Sequence, residues 1–288
     1  MSIVMEKNSE KFVVIGLGLM GGSLALDIKN KRDDAVVYGF DTNEKHTLKA
    51  KELGIIDKIG KEEDILDAHW IIVAVPVDKS MDVLVNVLNK INAHTIVFDV
   101  GSTKSQICET VKNHQNRRNF IAAHPIAGTE FSGPQAAMKD LFLDRTNIIC
   151  EVEKTAFVFQ EKALELFKQI GMRIRYMDPV SHDKHIAYMS HLSHISSFML
   201  GKTVIEEEKN ERDIFDMAGS GFESTVRLAK SSPAMWTPIF KQNKDHVVKS
   251  LSEYIANLNS FKELLEQEKY EEVFTTLEET NRIKQILK

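Results

Sequence analysis

The chain has 288 residues, enough for about two domains of ordinary size. Its 37 basic and 42 acidic residues give a net charge of −5, which argues against a nucleic-acid binder because such proteins usually carry a basic excess. Hydrophobic residues make up 43% and charged residues 27% of the chain, as in ordinary globular proteins, so extensive disorder is not expected.

Cysteine content and hydropathy indicate the compartment. Cys108 and Cys150 form no CxxC pair, which argues against a disulfide framework and a cysteine zinc site. The first ten residues lack a basic segment leading into an apolar stretch, so we expect no signal peptide. The longest apolar run, Ile71–Val77, contains Pro76 and falls far short of the ~20 residues that span a bilayer. We therefore expect a cytoplasmic protein.

Short apolar runs alternate with helical patterns in the first part of the chain. The runs are Phe12–Ile15, Val36–Phe40, Trp70–Val75, Thr95–Val100, Phe120–Ala123, Asn147–Val152 and Arg173–Met177. Because they are continuously apolar, we expect helices on both faces of a parallel sheet. The pattern predicts an N-terminal α/β domain over residues 10–178 with a doubly wound, Rossmann-like sheet.

No convincing strand follows the last of these runs. Ser181–Glu208 is predicted to form one long helix, and Gly219–Gly221 to interrupt the helical pattern. Ser231–Pro233 is typical of a helix start, and Pro238–Lys288 again has helical periodicity. The sequence thus predicts an all-α C-terminal domain over residues 179–288.

A glycine-rich segment matches the dinucleotide-binding pattern GxGxxG. Gly16, Gly18 and Gly21 follow the first strand and precede a helix predicted over Ser23–Lys29, which is the context that the pattern requires. Gly16 permits a tight turn, Gly18 lets the backbone approach a pyrophosphate, and Gly21 allows close packing of helix on strand. The alternative is an ordinary glycine-rich turn.

Asp41 ends the second strand, 20 residues after Gly21. A carboxylate there accepts hydrogen bonds from both ribose hydroxyls of NAD and repels the 2′-phosphate of NADP, so we predict NAD. The alternative is a plain turn or helix-cap residue. The residues predicted to form the cofactor site are Gly16, Gly18, Leu19, Met20, Gly21, Asp41, Val75 and Pro76.

Two polar residues follow strands at the edge where open α/β sheets bind ligands. Ser102 follows the fourth strand and His124 the fifth. Histidine suits proton abstraction at neutral pH, since its unperturbed pKa lies near 6.5. In the alternative interpretation, Ser102 caps the next helix and His124 is a core histidine.

The helical part contributes a second set of candidates. At ~100° per residue, the pairs His182/His185 and His191/His194 lie on roughly opposite sides of one helix, so they cannot all bind one ion and we predict no metal. We expect one pair to face the crevice. Arg227 suits a carboxylate clamp or a solvated helix face, and Trp236 a pocket wall or the core.

Together these segments resemble the prephenate dehydrogenase family of tyrosine biosynthesis, in its stand-alone form. The resemblance covers Phe12–Leu264, and the motifs that carry it are GLGLMGGS (16–23), AVPV (74–77), DVGSTK (99–104), HPIAGTEFSG (124–133), HDKHIAYMSHLSH (182–194) and GFESTVRLAKSSPAMW (221–236). It implies that NAD oxidises prephenate, which loses carbon dioxide and becomes 4-hydroxyphenylpyruvate. Aromatisation drives this decarboxylation, so no metal is needed as an electron sink.

The resemblance also implies roles for individual residues. His124 takes the proton of the C4 hydroxyl, and Ser102 hydrogen-bonds the same hydroxyl and histidine. The residues implied to bind substrate are His194, Arg227, Thr129, Trp236 and Glu130. Members of the family are usually dimers built through the helical domain, and inhibition by tyrosine is plausible from the resemblance.

Two positions depart from the family pattern. Ser193 replaces the proline of SHLPH, and Ser224 stands where several relatives carry an acidic residue, so we assign it no binding role. Three alternatives stay open. They are an arogenate dehydrogenase, a hydroxyisobutyrate-type dehydrogenase and a non-catalytic NAD-binding regulator, although the last requires none of the crevice residues.

Overall fold

The structure, a computed structural model, describes residues 9–209 and 213–286. The segment used above to judge a signal peptide lies almost wholly outside these residues, as do the last two of the predicted helical tail. The strands are β1 (Glu10–Ile15), β2 (Ala35–Phe40), β3 (Lys58–Ile59), β4 (Trp70–Val73), β5 (Ile96–Asp99), β6 (Phe120–Pro125), β7 (Thr146–Cys150) and β8 (Arg173–Met177).

Helices follow most strands and then make up the remainder of the described chain. Those between strands are α1 (Leu19–Lys31), α2 (Glu44–Glu52), α3 (Val77–Lys90), α4 (Ser105–Val111) and α5 (Phe157–Gln169). Those after the sheet are α6 (Pro179–Ile186), α7 (Leu192–Glu208), α8 (Ser220–Val226), α9 (Pro233–Gln242), α10 (Lys244–Glu266), α11 (Tyr270–Thr280) and α12 (Ile283–Ile286).

The described strands form one sheet in the order β3-β2-β1-β4-β5-β6-β7-β8. Neighbouring strands are parallel except β6 and β7, which are antiparallel. A parallel return needs a crossover, usually a helix, and the chain between β6 and β7 contains only the short 3₁₀ turn Pro134–Ala136. The predicted Rossmann-like α/β class is confirmed, with a mostly rather than wholly parallel sheet.

Two local predictions need correction. The sequence reading missed β3, because Lys58 and Ile59 are exposed and form a two-residue edge strand beside β2. Helix α1 begins at Leu19, not at Ser23. Gly21 lies in its first turn and is required there by packing, since a Cβ at Gly21 would come within 2.0 Å of the Gly16 carbonyl oxygen. Close packing therefore outweighs the low helix propensity of glycine.

Apolar residues from both faces of the sheet form two separate core clusters. Phe12 and Val14 point to one face, where helices α1 and α5 pack, and Val13 points to the other, where α3 and α4 pack. This alternation along β1 follows the two-residue period of a strand. The prediction that helices cover both faces is confirmed.

A short π-helical turn divides the long helix that was predicted at the start of the helical part. Helices α6 and α7 are joined by a π-helical turn, Ala187–His191, within the stretch predicted as one helix. Helix α9 starts at Pro233, as the Ser231–Pro233 pattern predicts. The tail after Pro238 is not continuous, since α10 ends at Glu266 and two shorter helices follow.

No helix in residues 9–209 and 213–286 combines the length and the hydropathy that spanning a bilayer requires.

The glycine loop generates a stability prediction. Gly16 has φ +95°, and an added Cβ would lie 2.3 Å from the Ala74 carbonyl oxygen, so Gly16→Ala should lower the free energy of unfolding by about 3 kcal/mol or more. Gly54→Ala is the matched control, because Gly54 also has a positive φ of +70° but open space around its Cβ position. It should cost about 1 kcal/mol. Equal losses in denaturant unfolding would contradict this account.

Candidate active site

The glycine loop joins β1 to α1 at the carboxyl edge of the sheet. Gly16 fits closely against Ala74, and the exposed Pro76 precedes α3 beside it, with Val75 half-buried. By contrast, a Cβ at Gly18 would meet nothing within 4 Å. Gly18 is also the N-cap of α1, where backbone N–H groups lack helical partners. The open space and the N–H groups of Leu19 and Met20 suit a pyrophosphate.

Asp41 lies just past β2 and faces the glycine loop. Its carboxylate accepts hydrogen bonds from Leu17 N at 2.9 Å and from Asn43 N at 2.8 Å, and His46 Nδ1 lies 3.5 Å away. Each carboxylate oxygen has two lone pairs, so both can accept a further hydrogen bond. Asp41 thus orders the loop and retains the capacity to accept from ribose hydroxyls.

His124 is the penultimate residue of β6 and is 8% exposed. Its Nδ1 lies 2.8 Å from Nε2 of His182 on α6, and His182 Nδ1 lies 2.8 Å from Oδ1 of Asp183. His124 Nε2 makes no hydrogen bond to any described residue. Burial first, and then electrostatic repulsion of a second positive charge beside His182, Lys104 and His191, lowers the pKa of His124 well below 6.5. The imidazole is therefore neutral at pH 7 and can accept a proton.

A buried ion pair holds the backbone beside His124. Lys104 Nζ contacts the Asp99 carboxylate and donates to the Ala123 carbonyl at 2.7 Å, while Ala123 N donates to Asp99 Oδ1 at 3.2 Å. Both backbone groups of Ala123 are thus fixed by one pair. The sequence reading assigned Lys104 and Asp99 no role, although both lie in the DVGSTK motif.

Ser102 does not cap helix α4. The helix begins at Ser105, and the carboxylate of Asp183 accepts hydrogen bonds from Lys104 N and Ser105 N, each at 2.8 Å. Asp183 therefore acts as the cap from a distant helix, and Ser102 keeps a partly exposed hydroxyl after β5. In the described residues, no hydrogen bond joins Ser102 to His124, unlike the contact that the family resemblance implies.

The four histidines of the helical part are not arranged as two opposite pairs, so that prediction is wrong. His182 and His191 are both fully buried, His194 is half-buried, and His185 is exposed, with Nδ1 3.4 Å from Met177 Sδ. The π-helical turn between the pairs accommodates one extra residue, which changes their relative direction by ~100°. His182 therefore lies on the same side as His191 and His194, whereas His185 points to solvent.

His191, His194 and Trp236 form an aromatic group beside His182. His194 stacks on Trp236 with ring centroids 3.6 Å apart, and His191 meets the edge of Trp236 at 5.8 Å. Asn243 Nδ2 donates to the Asp183 carbonyl and, at 3.2 Å, to His191 Nδ1, so the proton of neutral His191 is on Nε2. Among the described residues, neither His191 Nε2 nor Trp236 Nε1 has a partner. Both are buried donors that a ligand's acceptor atoms would satisfy.

Arg227 and Glu130 connect the helical part to the loop after β6. Arg227 Nη1 lies 3.3 Å from Glu130 Oε2, and the Arg227 side chain is 52% exposed, so the pair itself contributes little stability. Thr129 precedes Glu130 and accepts a hydrogen bond from Phe131 N at 3.3 Å. Ser224 is exposed and bonds only within its own helix, to the Gly221 carbonyl, among the contacts of the described chain.

Within the part of the chain that the structure describes, no group of three or more acidic, histidine or cysteine side chains is arranged to hold a metal ion.

A Rossmann-like sheet with a glycine loop at its carboxyl edge, followed by helices, defines a dinucleotide-binding protein of the dehydrogenase type. The family description "Prephenate dehydrogenase, nucleotide-binding domain" matches residues 24–176, and "Prephenate dehydrogenase, dimerization domain" matches residues 178–279. The chain belongs to the prephenate dehydrogenase family.

Individual relatives agree with this assignment. The chain is 30% identical over 274 residues to the prephenate dehydrogenase of Bacillus subtilis (strain 168), covering 94% of this chain and 74% of that protein. It resembles the crystal structure of prephenate dehydrogenase from A. aeolicus in complex with hydroxyphenyl propionate and NAD+, with a TM-score of 0.89 and 30% identity over 97% of this chain and 98% of that one. Synechocystis arogenate dehydrogenase gives a TM-score of 0.77 and 27% identity, with coverages of 96% and 99%.

Burial of His191 generates a prediction about stability and pH. Burial, only partly offset by Asp183, lowers the pKa of His191 to about 4 from 6.5. Protons then bind the unfolded chain first as the pH falls below 6.5, so folding is destabilised between pH 6.5 and about 4. Between pH 8 and pH 5, the native protein should lose about 2 kcal/mol more unfolding free energy than His191→Gln.

The exposed His185 provides the matched control for this measurement. His185→Gln should keep the pH dependence of the native protein in denaturant unfolding. If His191→Gln loses as much stability as the native protein over the same interval, His191 does not titrate as described.

Proposed function

We propose that the protein is an NAD-dependent prephenate dehydrogenase that converts prephenate to 4-hydroxyphenylpyruvate and carbon dioxide. Beyond membership of the family, the main support for the proposal is the state of His124. A neutral, buried His124 has its Nδ1 engaged by His182 and its Nε2 without a partner among the described residues, at the sheet edge that also bears the glycine loop. That combination suits abstraction of a hydroxyl proton beside a dinucleotide.

His124 acts on the C4 hydroxyl of prephenate. As C4 loses hydride, Nε2 of His124 takes the hydroxyl proton and the C4–O bond becomes a carbonyl. The ring carboxylate then leaves as carbon dioxide, and its electron pair aromatises the ring. The phenolate oxygen regains the proton from His124, so the base is restored. In our proposal Ser102 donates a hydrogen bond to the same oxygen.

The polar and aromatic residues of the helical part bind the rest of the substrate. Arg227 pairs with a substrate carboxylate in place of, or in addition to, its contact with Glu130. His194 and Trp236, stacked on each other, form a wall of the pocket together with Thr129. This assignment is supported by the two unpartnered buried donors, His191 Nε2 and Trp236 Nε1.

NAD supplies the hydride acceptor when bound. Gly16, Gly18, Leu19, Met20 and Gly21 receive its pyrophosphate, and Asp41 receives the adenosine ribose, with Val75 and Pro76 beside the loop. The open space at Gly18 and the lone pairs of Asp41 support this assignment. We assign residues 10–178 to the NAD-binding domain and residues 179–288 to the domain that binds substrate and forms the dimer.

We also propose a homodimer built through the helical part. Among the apolar residues of the helical part, Val247 is buried, whereas Met199, Ile255 and Leu258 are 51%, 48% and 51% exposed and available to a second copy. A monomeric mass by light scattering at assay concentration would refute the dimer. Inhibition by tyrosine and a cytoplasmic location stay predictions.

The function is tested by NADH formation with prephenate and arogenate, compared side by side under NAD and NADP. We expect turnover with prephenate and NAD. A preference for arogenate, for which Synechocystis arogenate dehydrogenase is the relevant relative, would keep the base and the cofactor but change the substrate. No turnover with either substrate, despite NAD binding, would contradict the proposal.

The role of His124 predicts the behaviour of His124→Asn. Its kcat should fall by about 10²–10⁴-fold, because the general base is lost. The dissociation constant for NAD, measured by fluorescence titration, should change little. A kcat near that of the native protein would show that His124 is not the base.

The role of Arg227 predicts a different kinetic signature. Arg227→Ala should mainly raise KM for prephenate, because a ground-state contact with a carboxylate is lost. Lys230→Ala is the matched control, since Lys230 is a neighbouring exposed cation in the same 3₁₀ turn. An unchanged KM for Arg227→Ala, or an equal rise for both variants, would contradict the clamp.

A further inference from the structure

We propose that Asp183 and His182 are positioning residues that hold His124 in the tautomer protonated on Nδ1, so that unprotonated Nε2 faces the substrate. The proposal rests on the function assigned above and deepens it. It concerns a buried pair for which the sequence reading had found no role. The pair lies on α6, outside the strand that carries the base.

The chain of hydrogen bonds has only one consistent direction when both imidazoles are neutral. The Asp183 carboxylate is an acceptor, so His182 Nδ1, 2.8 Å away, must carry the proton that it donates. His182 Nε2 is then an acceptor for His124 Nδ1, also at 2.8 Å. His124 must therefore carry its proton on Nδ1, and its lone pair is on Nε2.

The charge state of Asp183 is secured by its surroundings. Burial raises the pKa of Asp183, but hydrogen bonds from His182, from Ser105 and from Lys104 N outweigh burial, and the net pKa is lowered. The carboxylate therefore stays an acceptor at neutral pH. It is also immobile, because it caps helix α4 through Lys104 N and Ser105 N.

Other charged or titratable groups act on His124 without determining its tautomer. Lys104 approaches from the loop before α4, and His191 from the π-helical turn. Lys104 is engaged by Asp99 and the Ala123 carbonyl, and His191 Nδ1 by Asn243. Of the hydrogen bonds in the described residues, only the one between His124 Nδ1 and His182 Nε2 involves a His124 ring nitrogen.

The chain of hydrogen bonds Asp183–His182–His124, here called the relay, explains why two buried histidines lie in contact. Their rings are 5.0 Å apart and nearly perpendicular, at 68°, which directs a ring nitrogen of one at a ring nitrogen of the other. Protonated His182 would donate from both nitrogens and leave Nε2 of His124 as a donor, which cannot accept the substrate proton. The mechanism thus requires neutral His182.

The tautomers are measured directly by ¹⁵N NMR of the full-length protein labelled at histidine, at neutral pH. We expect pyrrole-type nitrogen at Nδ1 and pyridine-type nitrogen at Nε2 for both His124 and His182. Signals are assigned from single histidine variants. A proton on Nε2 of either residue, or on both nitrogens of His182, would overturn the proposal.

Kinetics of His182 variants test whether the tautomer of His124 controls turnover. His182→Leu removes the acceptor, so kcat with prephenate should fall by about 10²-fold, with little change in KM or in NAD affinity. His182→Gln places an amide oxygen near the Nε2 position and should restore kcat to within about tenfold of the native value. His185→Leu, on the exposed side of the same helix, is the matched control and should keep native kcat.

Asp183→Asn provides a second test of direction. An amide nitrogen in the place of Oδ1 would donate to His182 and reverse both tautomers, and the equivalent change in the serine-protease triad costs about 10⁴ in kcat. We expect a comparable loss for Asp183→Asn, with the reversed His124 tautomer visible by ¹⁵N NMR. Native kcat in His182→Leu, or in Asp183→Asn with the tautomer reversed, would overturn the proposal.

This design separates the relay from the proposed function. If the native protein shows no turnover, the function fails, and the NMR tautomers still decide the relay. If the native protein turns over prephenate but His182→Leu is unimpaired, the relay alone fails.

Discussion

The geometry of the site depends on one carboxylate, that of Asp183. It accepts hydrogen bonds from the first turn of α4 and from His182, and its backbone carbonyl accepts one from Asn243 of the loop before α10. A strand-end histidine has several rotamers and two tautomers. Asp183 is fixed to the Rossmann-like part by hydrogen bonds from two backbone N–H groups. Through His182, it can therefore select one rotamer and one tautomer of His124. Removing a buried charge from such a set typically costs several kcal/mol.

In the proposed mechanism, the same constraint lets the helical part act on His124, although His124 itself lies in the sheet. The π-helical turn brings His191 and His194 round towards the face of His182, beside Trp236. Burial lowers the pKa of His191 and of His194, at the expense of stability in acid. Burial also leaves two N–H donors, His191 Nε2 and Trp236 Nε1, without an acceptor in the described part of the chain, which is unfavourable unless a bound substrate supplies one.

Much of this arrangement could be predicted from the sequence. The features that could not be predicted were missed for physical reasons. Apolar runs correctly predicted seven strands. Strands inside the sheet show no polar alternation because helices cover both faces, whereas the edge strand β8 alternates and is mostly exposed. The edge strand β3 has no such run. Helical spacing at a constant angle misplaced the histidines, since nothing in the sequence signals a π-helical turn. Asp183 was overlooked because its partners are far away in sequence, Lys104 and Ser105 being separated from it by 79 and 78 residues.

The central claim is that His124 Nε2 receives the proton of the substrate hydroxyl. It is tested most directly by a crystal structure of this protein with NAD and hydroxyphenyl propionate, a phenol whose hydroxyl stands in for that of prephenate. The account predicts the phenol oxygen about 2.7–3.0 Å from His124 Nε2, with the carboxylate near Arg227. A phenol oxygen beyond hydrogen-bond distance of His124, or a ligand bound in the reverse orientation, would contradict it.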